Sequence, residues 1–387
     1  MVKKMKRLIS SILMLVLLSL CLLTGCGNDP KSQLTQPSQL DISQLVDFVV
    51  QAEEGREFRI LQLTDTQVID PGQSRYPERI GNTTPLTDDQ LYQECFYYIE
   101  ESIKRTQPDL IIMTGDIVYG EFDDTGESLQ KMVKFMDSFK VPWAPVWGNH
   151  DNESIKGVTW QCQQLENAEY CLFKRGEMLG NSNYSIAVQQ GNKVIKVIYM
   201  LDSNGCGNAK SYSYLPEFGK YNQGEKVFTD AMIGEDVLDW INLTSTQITA
   251  TLGYSPKKFA AFHIPIAEYS DAATFKGYQS SDRTSHFDIS DPEGIDFGSK
   301  NEAIRGMTVP NFWELLTAQN FDGVFVGHNH RNDFSIVYKG IRLTCGIKGS
   351  THDRYEDTML GGTLITVAEG GETFTVEHCR VEKLTIQ

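Results

Sequence analysis

The sequence predicts an α/β fold built largely on parallel strands. Short apolar, β-branched runs recur, and each ends in a Gly or polar cluster. Helical periodicity lies between them, and strand–helix alternation is the pattern of parallel sheets. The runs are too short and too uniformly apolar for half-exposed strands, so they fit strands covered on both faces. They are Phe58 to Leu63, Leu110 to Met113, Trp143 to Trp147, Phe259 to Phe262 and Val324 to Val326.

Three helices are legible between them. Asp88 to Thr106 places Leu91, Cys95, Tyr98, Ile99, Ser102 and Ile103 on one face. Thr125 to Phe139 does the same with Leu129, Met132, Val133 and Met136. Pro310 opens a third, since proline suits a first helical turn. Asn183 to Gln189 and Lys193 to Leu201 flank Gln190-Gly191-Asn192 and read as a hairpin. Phe334 to Tyr338, Ile341 to Ile347, Gly362 to Ala368 and Thr373 to Val381 suggest antiparallel strands completing a second sheet. Residues 266–307 are polar and Gly/Ser/Asp-rich, and read as a long irregular insertion close to His263. Residues 203–230, with Tyr212, Tyr214, Phe218 and Tyr221, read as a further loop.

The N-terminus carries an address. Lys3, Lys4, Lys6 and Arg7 precede an uncharged apolar run, Leu8 to Leu23. That run is short for a membrane span, which needs about 20 residues, and has the layout of a signal peptide. It ends in Leu23-Thr24-Gly25-Cys26, which resembles the bacterial lipobox, whose cysteine takes a diacylglyceryl group. The expected organisation is a lipoprotein signal peptide at 1–25, lipidated Cys26 with a flexible tether to residue 50, and one domain at 51–387. The expected location is outside the cytoplasmic membrane, anchored through the lipid on Cys26. The net charge is -16, and the leader holds four basic and no acidic residues, leaving -20. Such a surface argues against broad nucleic-acid binding. A small anionic substrate stays compatible, because exposed charge is screened over about 8–10 Å. In an oxidising compartment, Cys162 and Cys171 are the nearest candidates for a disulfide.

Chemistry collects at the strand ends, where open α/β sheets bind ligands. They offer Asp65, Gln67, Asp116, Asn149, His150, His263, His328 and His330. Such a mixed oxygen and nitrogen set suits Mn, Fe or Zn rather than Ca. A shared carboxylate would hold two ions about 3.5–4 Å apart.

In order, the blocks are Asp65-Thr66-Gln67, Gly115-Asp116, Gly148-Asn149-His150-Asp151, His263 and Gly327-His328-Asn329-His330. This series resembles the calcineurin-like metallophosphoesterase superfamily. The resemblance implies a four-layer sandwich of two mixed β-sheets flanked by helices. It implies two transition-metal ions, divalent or trivalent. Asp65, Asp116 and His330 would hold the first, with Gln67 at a ligand position. Asp116, Asn149, His263 and His328 would hold the second. It further implies hydrolysis of phosphomonoesters or phosphodiesters by a water activated between the ions. His150 would protonate the leaving oxygen, with Asp151 holding its ring.

Gln67 departs from the pattern, which has His there. A neutral amide is the poorer donor, so the first ion would be held less tightly or be a harder ion. Gly115-Asp116-Ile117-Val118-Tyr119 is similar to the Gly-Asp-x-x-Tyr of purple acid phosphatases, where the Tyr binds iron. The stretch from Gly327 to Gly346 is similar to a purple-acid-phosphatase-related branch that keeps a standard site. Tyr119 thus reads either as a ligand or as a ring packed beside the strand. The loss of His also leaves room for a non-catalytic surface protein that binds phosphoesters. Arg75 reads as a solvated loop residue, and His286, His352 and His378 as ordinary histidines.

Overall fold

Fully buried apolar strands set the frame. The computed structural model describes residues 42–73, 87–205, 230–279 and 285–385. The leader, Cys26, Arg75, Cys206 and the aromatic residues of 212–221 lie outside them.

The first half runs β1 (Phe48–Ala52), β2 (Phe58–Leu63), α1 (Asp88–Thr106), β3 (Leu110–Thr114), α2 (Glu127–Ser138), β4 (Trp143–Val146), α3 (Val158–Glu166), β5 (Tyr184–Gln190) and β6 (Lys193–Met200). The second half runs α4 (Glu235–Leu252), β7 (Lys258–Ala261), α5 (Glu268–Phe275), β8 (Phe287–Asp288), β9 (Ser299–Lys300), α6 (Phe312–Ala318), β10 (Phe321–Val326), β11 (Ser335–Tyr338), β12 (Ile341–Cys345), β13 (Gly361–Val367) and β14 (Phe374–Arg380). One sheet has the order β1-β5-β6-β7-β10-β12-β11, the other β14-β13-β2-β3-β4. Both are mixed: β6, β7, β10 and β12 are parallel in the first, and β2, β3 and β4 in the second. The sheets share one apolar core. Phe259 on β7 packs against Phe325 on β10 at 5.1 Å and against Phe374 on β14 of the other sheet at 4.8 Å between ring centres. Helix α1 covers β2, β13 and β14, while α6 covers β10. This is the four-layer α/β sandwich.

Helix α1 shows how local chemistry fixes an element. Thr87 Oγ1 accepts from Gln90 N, and Gln90 Oε1 accepts from Thr87 N, a reciprocal cap. Asp88 and Asp89 sit in the first turn and Lys104 and Arg105 in the last, each complementing the helix dipole. Its buried face contains all six residues the periodicity names.

Several expectations are corrected. Residues 42–50, expected as tether, belong to the larger compact unit, Ile42–Gln387. Ile42, Val46 and Val50 are buried, and β1 pairs with β5; the short apolar run Leu45 to Val50, broken by Asp47, abuts the polar stretch before it. The C-terminal strands do not form one sheet: β11 and β12 extend the seven-stranded sheet, and β13 and β14 join the five-stranded one. The insertion is not irregular throughout. Its ends are tied by a bridge between Ile266 and Met307, and it holds α5 and the β8–β9 pair. Cys162 and Cys171 are free thiols, as are Cys95, Cys345 and Cys379. Cys162 faces the carbonyl of Asn181 inside the core, while Cys171 borders Trp143.

Candidate metal centre

The site forms where five strands end. Asp65 follows β2, Asp116 follows β3, and Asn149 and His150 follow β4. His263 follows β7, and His328 and His330 follow β10. The chain turns sharply just past β2, β3 and β10. Asp65, Gln67, Asp116 and His328 all take left-handed backbone, with φ of 52°, 44°, 50° and 70°. Non-glycine residues are held this way only where surrounding structure imposes it, at about 1–3 kcal/mol each, and such residues cluster at functional sites. Two motif glycines permit the close approach. A Cβ on Gly148 would lie 2.3 Å from Asp116 Oδ1, and one on Gly327 would lie 2.0 Å from Thr64 Oγ1.

Each key carboxylate is half engaged. Asp65 Oδ2 accepts from Thr64 Oγ1 at 2.7 Å and from His328 N at 3.0 Å. Its Oδ1 faces His330 Nε2 at 3.1 Å. Asp116 Oδ1 accepts from His150 N at 2.8 Å, while Oδ2 faces His263 Nε2 at 3.1 Å. The far nitrogens of both imidazoles are tied to the main chain: His263 Nδ1 to Thr114 O at 2.8 Å and His330 Nδ1 to Arg354 O at 2.9 Å. Backbone anchoring of one nitrogen orients the other, as around metals. His328 Nδ1 and Asn149 Oδ1 lie 2.9 Å apart.

Asp65 Oδ1, Asp116 Oδ2 and His263 Nε2 are buried yet lack an aligned hydrogen-bond partner. Ligand atoms of Asp65, Asp116 and His330 all lie within 4.8 Å of one another. Buried, converging and unsatisfied oxygen and nitrogen donors suit a cation. The residues present therefore fit the implied metals.

The electrostatics agree. Burial alone would raise the Asp65 carboxyl, but His330 and His263 hold it well below the usual range. Burial also opposes ionisation of Asp116, yet His263 and His150 hold it low. Burial lowers His263, but Asp116 pulls it up to about 9; a bound cation would displace that proton.

His150 does not pair with Asp151. Its Nδ1 meets Glu153 Oε2 at 2.6 Å, with the Glu153 side chain 1% exposed. Burial disfavours the charged ring, but Glu153 and Asp116 outweigh it and hold His150 at about 10. Asp151 instead clamps the two ligand loops together. Its Oδ1 accepts from Val118 N at 2.9 Å and its Oδ2 from Gly148 N at 2.7 Å. The reason is local. Residues 151–153 form a 3-10 turn, in which residues three apart lie over one another.

Gln67 lies beside Asp65 and is engaged by a lysine. Its Oε1 accepts from the buried Lys348 ammonium, and Nε2 has no hydrogen-bond partner. Two residues that sequence reasoning passed over thus belong here. Lys348 Nζ also donates to Asp65 O at 2.9 Å, and His352 Nδ1 donates to Gln67 O at 2.9 Å. Tyr119 packs its ring edge-on against His150 and Phe122, each at 4.6 Å. His286 is exposed beside Asp288. A cleft of about 310 Å³ adjoins His330, lined by Arg331, Asp353, Arg354, Tyr355 and Glu356.

Residues 58–332 match the calcineurin-like phosphoesterase family. The chain is 24% identical over 314 residues to "Probable inactive purple acid phosphatase 29" of Arabidopsis thaliana, covering 75% of this chain and 71% of that one. It is 25% identical over 317 residues to "Phosphatase DCR2" of Saccharomyces cerevisiae, covering 74% of this chain but only 46% of that longer protein. Solved structures it is similar to include a dimetal phosphatase from Danio rerio, at 12% identity and TM-score 0.41 over 82% of this chain and 98% of that one. A purple acid phosphatase from yellow lupin seeds matches at 10% identity and TM-score 0.42, over 81% of this chain and 50% of that one. The chain belongs to the calcineurin-like phosphoesterase family.

Proposed function

We propose that the protein is a lipid-anchored, extracytoplasmic phosphoesterase with two metal positions, hydrolysing small phosphomonoesters or phosphodiesters. The observation that carries this is the set of buried, unsatisfied donor atoms on Asp65, Asp116 and His263. Asp65, Asp116 and His330 would hold one transition-metal ion; Asp116, Asn149, His263 and His328 would hold the other. Such ions supply an acidified water and charge stabilisation for the phosphate oxygens. His150 holds a proton on the ring that Glu153 fixes through Nδ1, which leaves Nε2 to protonate the departing oxygen. Asp151 keeps the ligand loops together through Val118 and Gly148. The cleft beside His330 is sized for the alcohol part of a small ester. The anchored location rests on the lipobox-like ending at Cys26.

The test is metal analysis of the purified full chain in detergent, with hydrolysis of an aryl phosphomonoester and an aryl phosphodiester. Bound transition metal with turnover is expected, and the rate ratio gives the ester type. Label from a fatty acid should enter the protein and be lost in Cys26→Ser. A second reading is a phosphoester-binding lipoprotein without turnover. The Lys348 ammonium on Gln67 favours it, because it removes one ligand from the first position. Metal and phosphate binding with no hydrolysis under Mn, Fe or Zn would select that reading.

A further inference from the structure

We propose that Lys348 is a resident cation of the first metal position, that Gln67 serves this lysine rather than a metal, and that the two positions are therefore unequal. The proposal rests on the metal-dependent reading above and deepens it.

Gln67 has one atom fit to ligate a cation, its amide oxygen, and Lys348 Nζ occupies it. Lys348 is 1% exposed, and its other hydrogen-bond acceptor is the Asp65 carbonyl at 2.9 Å. Its backbone is fixed on both sides: Lys348 N donates to Met359 O at 3.1 Å, and Lys348 O accepts from Gly361 N at 3.0 Å. It is not a surface lysine that swings into the site. Among the described residues, no carboxylate lies within ion-pair distance of its ammonium. Burial pushes this ammonium down, and the charges that hold the proton on from further away are Asp65, Asp353 and Asp116. A buried ammonium held by neutral oxygens is costly unless nearby negative charge compensates it. Here two of the three compensating groups are ligands of the first position.

A cation entering between Asp65, Asp116 and His330 therefore meets a fixed like charge and three protein ligands, one of them shared. The second position keeps Asp116, Asn149, His263 and His328, and among the described residues no lysine bonds to its ligand side chains. Like charges this close in a buried site cost about tenfold or more in binding.

The experiment is calorimetric titration of Mn2+ into the metal-stripped full chain in detergent, with metal analysis after dialysis. One ion per chain should survive dialysis, and a second should bind about tenfold or more weakly. Lys348→Met removes the charge at similar length. It should tighten the weaker ion about tenfold or more and leave the tighter one unchanged. Adding Gln67→His in that background should tighten it again. Two ions of equal affinity in the wild type would overturn the proposal, and that arm stands even if Lys348→Met does not fold. A weaker ion indifferent to Lys348→Met would also overturn it. Both failures leave the phosphoesterase reading intact, whereas no ion bound at all overturns the two together.

Discussion

The five-stranded sheet supplies the carboxylates and amide of the site, and the seven-stranded sheet supplies the imidazoles that face them. Asp65, Asp116 and Asn149 extend from β2, β3 and β4; His263, His328 and His330 extend from β7 and β10. Within each sheet the groups oppose one another. Asp65 disfavours ionisation of Asp116, and His263 disfavours protonation of His328. Across the seam they compensate, which is why both carboxyls are held low despite burial. The protonation state of the site is thus a property of how the sheets pack, not of either sheet alone. His150 is the exception. It is an imidazole on the carboxylate sheet, and its carboxylate partner Glu153 comes from the same loop.

That exception gives the largest expected effect. His150→Ala should leave the cross-sheet ligands in place and remove only a proton donor. The fall in kcat is expected at about 10²–10⁴-fold, greatest for poor leaving groups. Glu153→Gln keeps the side chain's shape but removes the charge that holds His150 up. It should shift the limb of the kcat profile that reports loss of the acid, because the ring then loses its proton at lower pH. The measurements are turnover against leaving-group pKa, pH profiles and metal content. Loss of metal in parallel with rate would place His150 among the ligands instead.

The second effect is on the seam itself. Gln62 on β2 is fully buried, and its Nε2 donates to Thr114 Oγ1 at 2.9 Å in its own sheet and to Val326 O at 3.0 Å on β10 of the other. Val326 O also accepts from Gly346 N, so Gln62→Leu strands no carbonyl. It does strip the direct bond between β2 and β10 just below Asp65 and His328. The expected loss is about 1–2 kcal/mol in denaturant unfolding. An unchanged midpoint would mean apolar packing alone holds the seam.

The same two-sheet logic explains what the sequence discloses. Ligands that close an apolar run are legible because a strand end leaves a local mark, sharpened by an adjacent glycine at Asp116, Asn149 and His328. Asp65, Asp116, Asn149, His263, His328 and His330 are of this kind. Glu153 was within reach, since a short turn after His150 brings residue i+3 beneath the ring, whereas the neighbouring Asp151 attracts attention only by adjacency. Lys348 and His352 leave no mark. They arrive from the β12–β13 connection, over 280 residues from Asp65 and Gln67, and only tertiary packing puts them there. Helix α4 hides for another reason. Its buried face runs Val237, Ile241, Thr244, Ser245, Ile248 and Leu252, and the hydroxyl residues interrupt the apolar stripe.

The last effect concerns a second tie between the sheets. His378 on β14 is half-buried, and its Nε2 donates to Asp333 O at 2.6 Å, just before β11 of the other sheet. Its Nδ1 accepts from Thr363 Oγ1 at 2.9 Å, so the fold is built around the neutral ring. Burial, helped by Arg380, lowers the ring to about 4 from 6.5, against the pull of Asp333. Because the folded value lies below the unfolded one, the unfolded chain binds the proton first. The contribution is therefore complete above about pH 6.5 and is lost as pH falls toward about 4. At pH 5 the loss is about 1–2 kcal/mol, the lower figure allowing for solvent at a half-buried ring. Unfolding midpoints at pH 7.5 and pH 5 for the wild type and His378→Gln check it. The wild type should lose more on acidification than the variant, which has nothing to protonate there. Equal losses would show that this tie does not sense pH, and that acid sensitivity enters through the carboxylates of the site instead.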